Sequence, residues 1–99
     1  MNTIEYADTV VEDLATLRAH DRKHLLDRIE AQLTHAPMVA ARNRKRLVGL
    51  VPPWEHLEPV WELRVGEYRV FYDVDEPAAV VKVRAIRHKP PHKTTEEVL

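Results

Sequence analysis

The stretch from Trp61 to Val74, WELRVGEYRVFYDV, sets Arg64 and Arg69 at equal distances on either side of Gly66-Glu67. If the two halves fold back on each other, two guanidinium groups meet face to face. Like charges directly opposite in a sheet are unfavourable by up to about 1 kcal/mol. Either neighbouring carboxylates neutralise the pair or an external anion does. A planar guanidinium fork suits a phosphate better than a scattered solvent face requires. Other chemistries have less to work with. Cysteine is absent, which removes disulfides, thiol nucleophiles and Cys-type zinc sites. Outside the proline-interrupted tail, His20 and His24 are the only histidines at helical ligand spacing and lack a clear third ligand, so neither a metal nor a cofactor is expected.

The elements that must position the arginines can be read from periodicity. Residues 3 to 7, TIEYA, suit a short strand. Thr9 and Glu12 have capping-box spacing and predict a helix start there. Val10, Val11, Leu14 and Leu17, then Leu25, Leu26, Ile29 and Leu33, recur at helical spacing and predict helices over 9–19 and 21–35. The second must end before Pro37. Residues 36 to 60 hold Pro37, Pro52, Pro53 and Pro59 with no sustained period and read as a long connection. Alternation returns in WELRV, EYRVFYDV and AVVKVRAI, which predict three strands. The tail leaves the sheet at Pro90-Pro91 and is expected to end in a helical turn capped by Thr94 or Thr95.

The resulting order is βααβββ plus a C-terminal tail. It describes an α+β domain covering residues 1–99, with a two-helix hairpin packed on one face of a small, mainly antiparallel, four-stranded sheet. Gly66-Glu67 suits a two-residue type II′ turn, which needs positive φ at its first central position. That turn pairs Val65 with Tyr68, Arg64 with Arg69, Leu63 with Val70, Glu62 with Phe71 and Trp61 with Tyr72. Trp61, Leu63, Val65, Tyr68, Val70 and Tyr72 then face the helices, and Glu62, Arg64, Arg69, Phe71 and Asp73 the open side. Continued into the last strand, the alternation buries Val81, Val83 and Ala85. It leaves Lys82, Arg84, Ile86 and His88 open, so Arg64, Arg69, Lys82 and Arg84 are expected on one face.

Ninety-nine residues with 44% hydrophobic and 31% charged side chains suit one globular domain. The N-terminus lacks the pattern of a signal peptide and no apolar run is long enough to span a bilayer, so a cytoplasmic protein without membrane contact is expected. The net charge of −1 conceals segregation. Residues 36–51 carry four Lys or Arg and no carboxylate, and residues 77–99 carry five against two. Residues 1–35 and 52–76 carry seven carboxylates each, against four and two cations. A chain of this kind can attract a polyanion on one face and a basic partner on another.

The plan as a whole, and the run WELRVGEYRVFYDVDE followed by VVKVRAIRHK, resembles the RelE/ParE superfamily of toxins from bacterial type II toxin-antitoxin systems. The likeness covers nearly the whole chain, and RNRKRL sits where such toxins commonly carry basic residues. The resemblance implies a toxin held in check by a cognate antitoxin protein. Its activity would be that of RelE-like members, which cut mRNA in the ribosomal A site without a metal. The alternatives are ParE-like poisoning of DNA gyrase, or a weakly toxic member that mainly binds its antitoxin.

By position, the resemblance gives Arg69 and Arg64 the role of holding the scissile phosphate. Glu62 stands where the family has a basic residue, and no tyrosine follows Tyr72 to stack on a base. Cleavage by the 2′-hydroxyl needs a proton acceptor and a proton donor, and His88 and His92 titrate closest to neutrality. The expected catalytic set is therefore Arg64, Arg69 and His88. The expected substrate contacts are Lys82, Arg84, Arg87, Lys89, His92 and Lys93, joined from the connection by Arg44, Lys45 and Arg46. Trp54 and Trp61 are expected in the core or against the antitoxin.

Overall fold

The computed structural model describes all residues 1–99. The elements run β1 (Thr3–Tyr6), α1 (Asp8–Ala15), α2 (Ala19–Leu33), β2 (Arg44–Arg46), β3 (Trp61–Val65), β4 (Tyr68–Asp75), β5 (Val80–His88) and α3 (Thr95–Val98). The sheet has the order β1-β5-β4-β3-β2; β1 runs parallel to β5 and the other pairs are antiparallel. The α+β plan is as expected, with five strands where four were expected. The added strand, β2, consists of three basic residues with no apolar alternation. It forms because β3 offers a partner edge, on which Arg44, Lys45 and Arg46 pair with Leu63, Glu62 and Trp61.

The helices lie on one face. Val10, Leu14, Leu25, Ile29 and Leu33 pack against Leu63, Val65, Val70, Tyr72, Val81 and Val83 in one continuous core. The expected capping box at Thr9 is not formed. Helix α1 begins at Asp8 with Ala7 as its N-cap and no side-chain cap. The Ala7 amide is already bonded to the Val83 carbonyl at 2.9 Å, so the chain passes directly from strand into helix. A capping box does form at the other end of the chain. The Glu97 amide donates to the Thr94 hydroxyl, and the Thr94 amide donates to Glu97 Oε1, opening α3.

The β3–β4 hairpin has the register expected from its turn, with Arg64 opposite Arg69 and Trp61 opposite Tyr72. Gly66 takes φ +59° at the first central position, a left-handed value that glycine adopts without a Cβ penalty. The β4–β5 pairing breaks the simple alternation. Phe71 pairs with Ala85 and Tyr72 with Val83, so Arg84 is an extra residue in a bulge. One inserted residue inverts every later side chain. Ile86, expected on the open face, therefore joins the helix-side core, while Ala85 moves to the far face.

That far face, expected to be open, is largely covered. Phe71 and Asp73 have no exposed surface and Glu62 has 4%. The connection between β2 and β3 lies across it. The Trp54 ring packs on Phe71 at 5.4 Å and the Leu57 amide donates to Asp73 at 3.1 Å. At the other end, Thr95 at the start of α3 donates to Glu62 at 2.8 Å. The cover leaves open the corner where β2, the β3–β4 turn and the end of β5 meet.

Candidate functional site

At that corner the sheet register builds a cationic cleft of about 290 Å³. Its walls come from Ala41 to Lys45, from Glu62, Arg64 and Arg69 on the hairpin, and from Lys89 and Thr95 in the C-terminal segment. A second depression beside it shares Arg64, Arg69 and Lys89 and is bounded by Gly66, Glu67 and Pro91. The bulge in β5 also changes the pairing of the arginines. Arg64 faces Arg69, and Arg69 in turn faces Arg87, so three guanidinium groups form a row across three strands.

The members of this row differ. Arg64 is exposed. Arg69 has 8% of its surface exposed, and its Nη1 donates to the Gly66 and Tyr68 carbonyls at 3.0 Å each. Burial pushes the pKa of the Arg69 guanidinium down; nearby Glu62 opposes the shift and Arg64 adds to it. An arginine stays charged at neutral pH regardless. A largely buried cation, fixed through one nitrogen and repelled by its neighbour, is relieved by an incoming anion. Arg87 is spent elsewhere, with its guanidinium 5.2 Å over the Trp54 ring and Nη1 3.8 Å from Asp13.

Glu62 is the one carboxylate lining the cleft. Its Oε2 accepts the Thr95 hydroxyl at 2.8 Å, and its Oε1 lies 3.6 Å from Lys45 Nζ. Within β2, Lys45 is the residue that projects to this face, because it pairs with Glu62. Arg44 pairs with Leu63 and turns to the helix side. There its guanidinium donates to the Val39 carbonyl at 2.9 Å and the Gln32 carbonyl at 2.8 Å, tying β2 to α2. Arg46 pairs with Trp61 and is exposed at the sheet edge.

The remaining expected contacts are dispersed. Lys82 and Arg84 do lie on the far face, but beside Asp73, four residues along β4 from Arg69, which is about 13 Å at strand spacing. Arg84 is bound there by Asp73, with Nε at 2.9 Å and Nη2 at 3.2 Å from its two oxygens. The four cations thus share the far face as expected, but as two separate groups, and in the second a carboxylate neutralises Arg84. His92 and Lys93 are exposed on the Pro90–Lys93 turn and do not line the cleft.

His88 is turned away as well. Beyond the bulge it shares a face with Tyr68, packing on that ring at 5.5 Å, and its Nε2 is 3.2 Å from Glu67 Oε1. It borders a groove lined by Asp13, Leu14, Leu17 and Ile86 on the α1 side. His88 and the Arg64–Arg69 pair thus lie on opposite sides of the sheet, because one inserted residue upstream reversed the strand.

Residues outside the expected site set complete the cleft: Arg42, Glu62 and Thr95. Glu62 carried a usable signal, since the hairpin register sets it on the same face as both arginines. For Thr95 the sequence has none, because its contact with Glu62 spans 33 residues.

The fold and sequence have known relatives. The chain is similar to the toxin-antitoxin complex RelBE2 from Mycobacterium tuberculosis, with TM-score 0.68, 22% identity and coverage of 89% of this chain and 98% of that one. It is also similar to the archaeal RelE-RelB complex from Pyrococcus horikoshii, with TM-score 0.62, 22% identity and coverage of 94% and 98%. A third likeness is to the isolated E. coli RelE toxin, with TM-score 0.60, 14% identity and coverage of 98% and 94%. No curated protein matches the sequence significantly. No helix is long and apolar enough to cross a membrane. Residues 4–89 match the family described as ParE toxin of type II toxin-antitoxin system, parDE, and the chain belongs to that family, a toxin of the RelE/ParE superfamily.

Proposed function

We propose that this toxin is an endoribonuclease that cleaves mRNA on the ribosome and so blocks translation, with arginine and lysine charge on the scissile phosphate. The observation that carries the reading is the cleft itself, in which Arg64, Arg69, Lys89, Arg42 and Lys45 surround a single carboxylate, Glu62. In this reading Arg64 and Arg69 bind the non-bridging phosphate oxygens. Glu62 accepts the proton of the 2′-hydroxyl as the 2′-oxygen bonds to phosphorus. The bond from phosphorus to the 5′-oxygen breaks, Lys89 protonates that oxygen, and the products are a 2′,3′-cyclic phosphate and a 5′-hydroxyl. Glu62 takes the role that the sequence suggested for His88. Lys82, Arg84 and Arg87 act at most as a surrounding positive field.

A protein antitoxin is the expected partner, by extension from the related complexes in M. tuberculosis and P. horikoshii. A second reading, gyrase poisoning, is favoured by the ParE description of the matching family and by the lack of a histidine in the cleft. Induction without antitoxin, with mapping of mRNA ends on translating ribosomes, separates the two. Ends clustered at the A site that vanish in Arg69→Ala support cleavage. Intact mRNA with broken chromosomal DNA overturns it in favour of gyrase.

A further inference from the structure

We infer that Thr95 is a positioning residue for Glu62, which makes the C-terminal turn a working part of the cleavage site; this rests on the nuclease reading above. Glu62 is the second residue of β3, has 4% of its surface exposed, and shares the cleft with Arg42, Lys45, Arg64, Arg69 and Lys89. A carboxylate in such a place is drawn to whichever cation is nearest, and each ion pair occupies a lone pair that would otherwise take the 2′ proton. Lys45 does not fix it, since its ammonium is 3.6 Å from Oε1, its side chain is 65% exposed, and a lysine stem is flexible. The Thr95 hydroxyl, donating to Oε2 at 2.8 Å, is the contact within ordinary hydrogen-bond distance. It holds one oxygen with a neutral group and leaves the other without a hydrogen bond, 3.6 Å from the Lys45 ammonium that lines the cleft with it.

The tail is built to hold Thr95 at this point. Thr94 and Glu97 cap α3 reciprocally, which fixes Thr95 as the first helical residue. The Thr94 hydrogen bonds lower the pKa of Glu97, which favours its charged form on the cap. Both Thr94 and Glu97 are exposed, so the capping pair is not there to fill the core. Its structural consequence is the placement of the next residue. Holding a proton acceptor within a fraction of an ångström affects the chemical step far more than it affects binding.

The test is single-turnover cleavage of mRNA on programmed ribosomes by wild type, Thr95→Val and Thr95→Ser, with thermal melting of each. The valine variant keeps the shape and loses the donor, and its rate at saturation is expected to fall about 10-fold or more. Its half-saturating concentration and melting temperature are expected to stay near those of wild type. Serine, which restores the hydroxyl, is expected to restore the rate to within about threefold. An unchanged saturating rate in Thr95→Val overturns the inference, as does a loss confined to half-saturation or a failure of serine to rescue. In each of these cases the nuclease reading still stands, because wild type cleaves. If wild type itself leaves mRNA intact, the nuclease reading falls and the positioning role falls with it.

Discussion

Arg64 and Arg69 face each other directly across the β3–β4 hairpin, yet Arg64 is exposed while Arg69 is 8% exposed and bonded to the Gly66 and Tyr68 carbonyls. One guanidinium is held in place and the other is free to reach. The two should therefore fail differently when removed. Arg69→Ala is expected to lower the saturating cleavage rate by about 100-fold or more, the loss typical of a preorganised charge on a reacting oxyanion. Its stability should fall only modestly, because relief of the like-charge repulsion offsets part of the lost packing and of the two carbonyl contacts. Arg64→Ala is expected to act on affinity and to reduce the salt slope of RNA binding by about one. Cleavage and anisotropy measured across a salt series check both.

Replacing Glu62 with glutamine keeps its shape and its contact with Thr95 but removes the proton acceptor. Glu62→Gln is expected to slow cleavage by about 10²–10⁴-fold. Binding of a non-cleavable RNA should be as tight or tighter, since a negative charge leaves a cationic cleft. Weakened binding with a normal rate would rule out the assigned role.

Asp73 has no exposed surface, binds Arg84 through both oxygens and accepts the Leu57 amide, so it clamps the connection onto the far face. Asp73→Ala strands Arg84 at the edge of the core and is expected to cost about 3–5 kcal/mol in urea unfolding. Substituting both partners, Asp73→Leu with Arg84→Met, should recover much of that loss, as expected when a buried ion pair is replaced by apolar side chains.

Tyr72 is fully buried and donates its hydroxyl to the Pro37 carbonyl at 2.5 Å. Burial raises its pKa well above the ordinary 10.0, with Arg44 opposing slightly. Burial, and secondarily Glu30, raises that of Tyr6. A raised folded-state pKa means that the unfolded chain gives up its proton first as pH climbs. The stabilisation is therefore complete below pH 10.0 and is lost progressively above it. Unfolding free energy should decline steeply in that alkaline range, and Tyr72→Phe should flatten the decline while costing about 1 kcal/mol at neutral pH.

How much of this could be read from the chain follows from how local each cause is. A glycine tolerant of positive φ, flanked by alternating apolar residues, is sufficient to set the hairpin register, so the facing arginines and the helix-side core of β3 and β4 were legible. The family likeness was legible in the same stretch. Beyond Arg84 in β5 the alternation failed, because a bulge costs little locally and is decided by how β5 fits between β4 and β1. That one residue moved His88 to the helix side and brought Arg87 into line with Arg69. The three-residue β2, the Trp54 and Leu57 cover over Phe71 and Asp73, and the Thr95 contact with Glu62 all join segments far apart in sequence. The sequence by itself determined which residues are cationic and how the hairpin pairs. Only the tertiary structure decided which cations remain unpaired and that Thr95 closes on Glu62, because such contacts are settled by neighbours in space and periodicity records only neighbours along the chain.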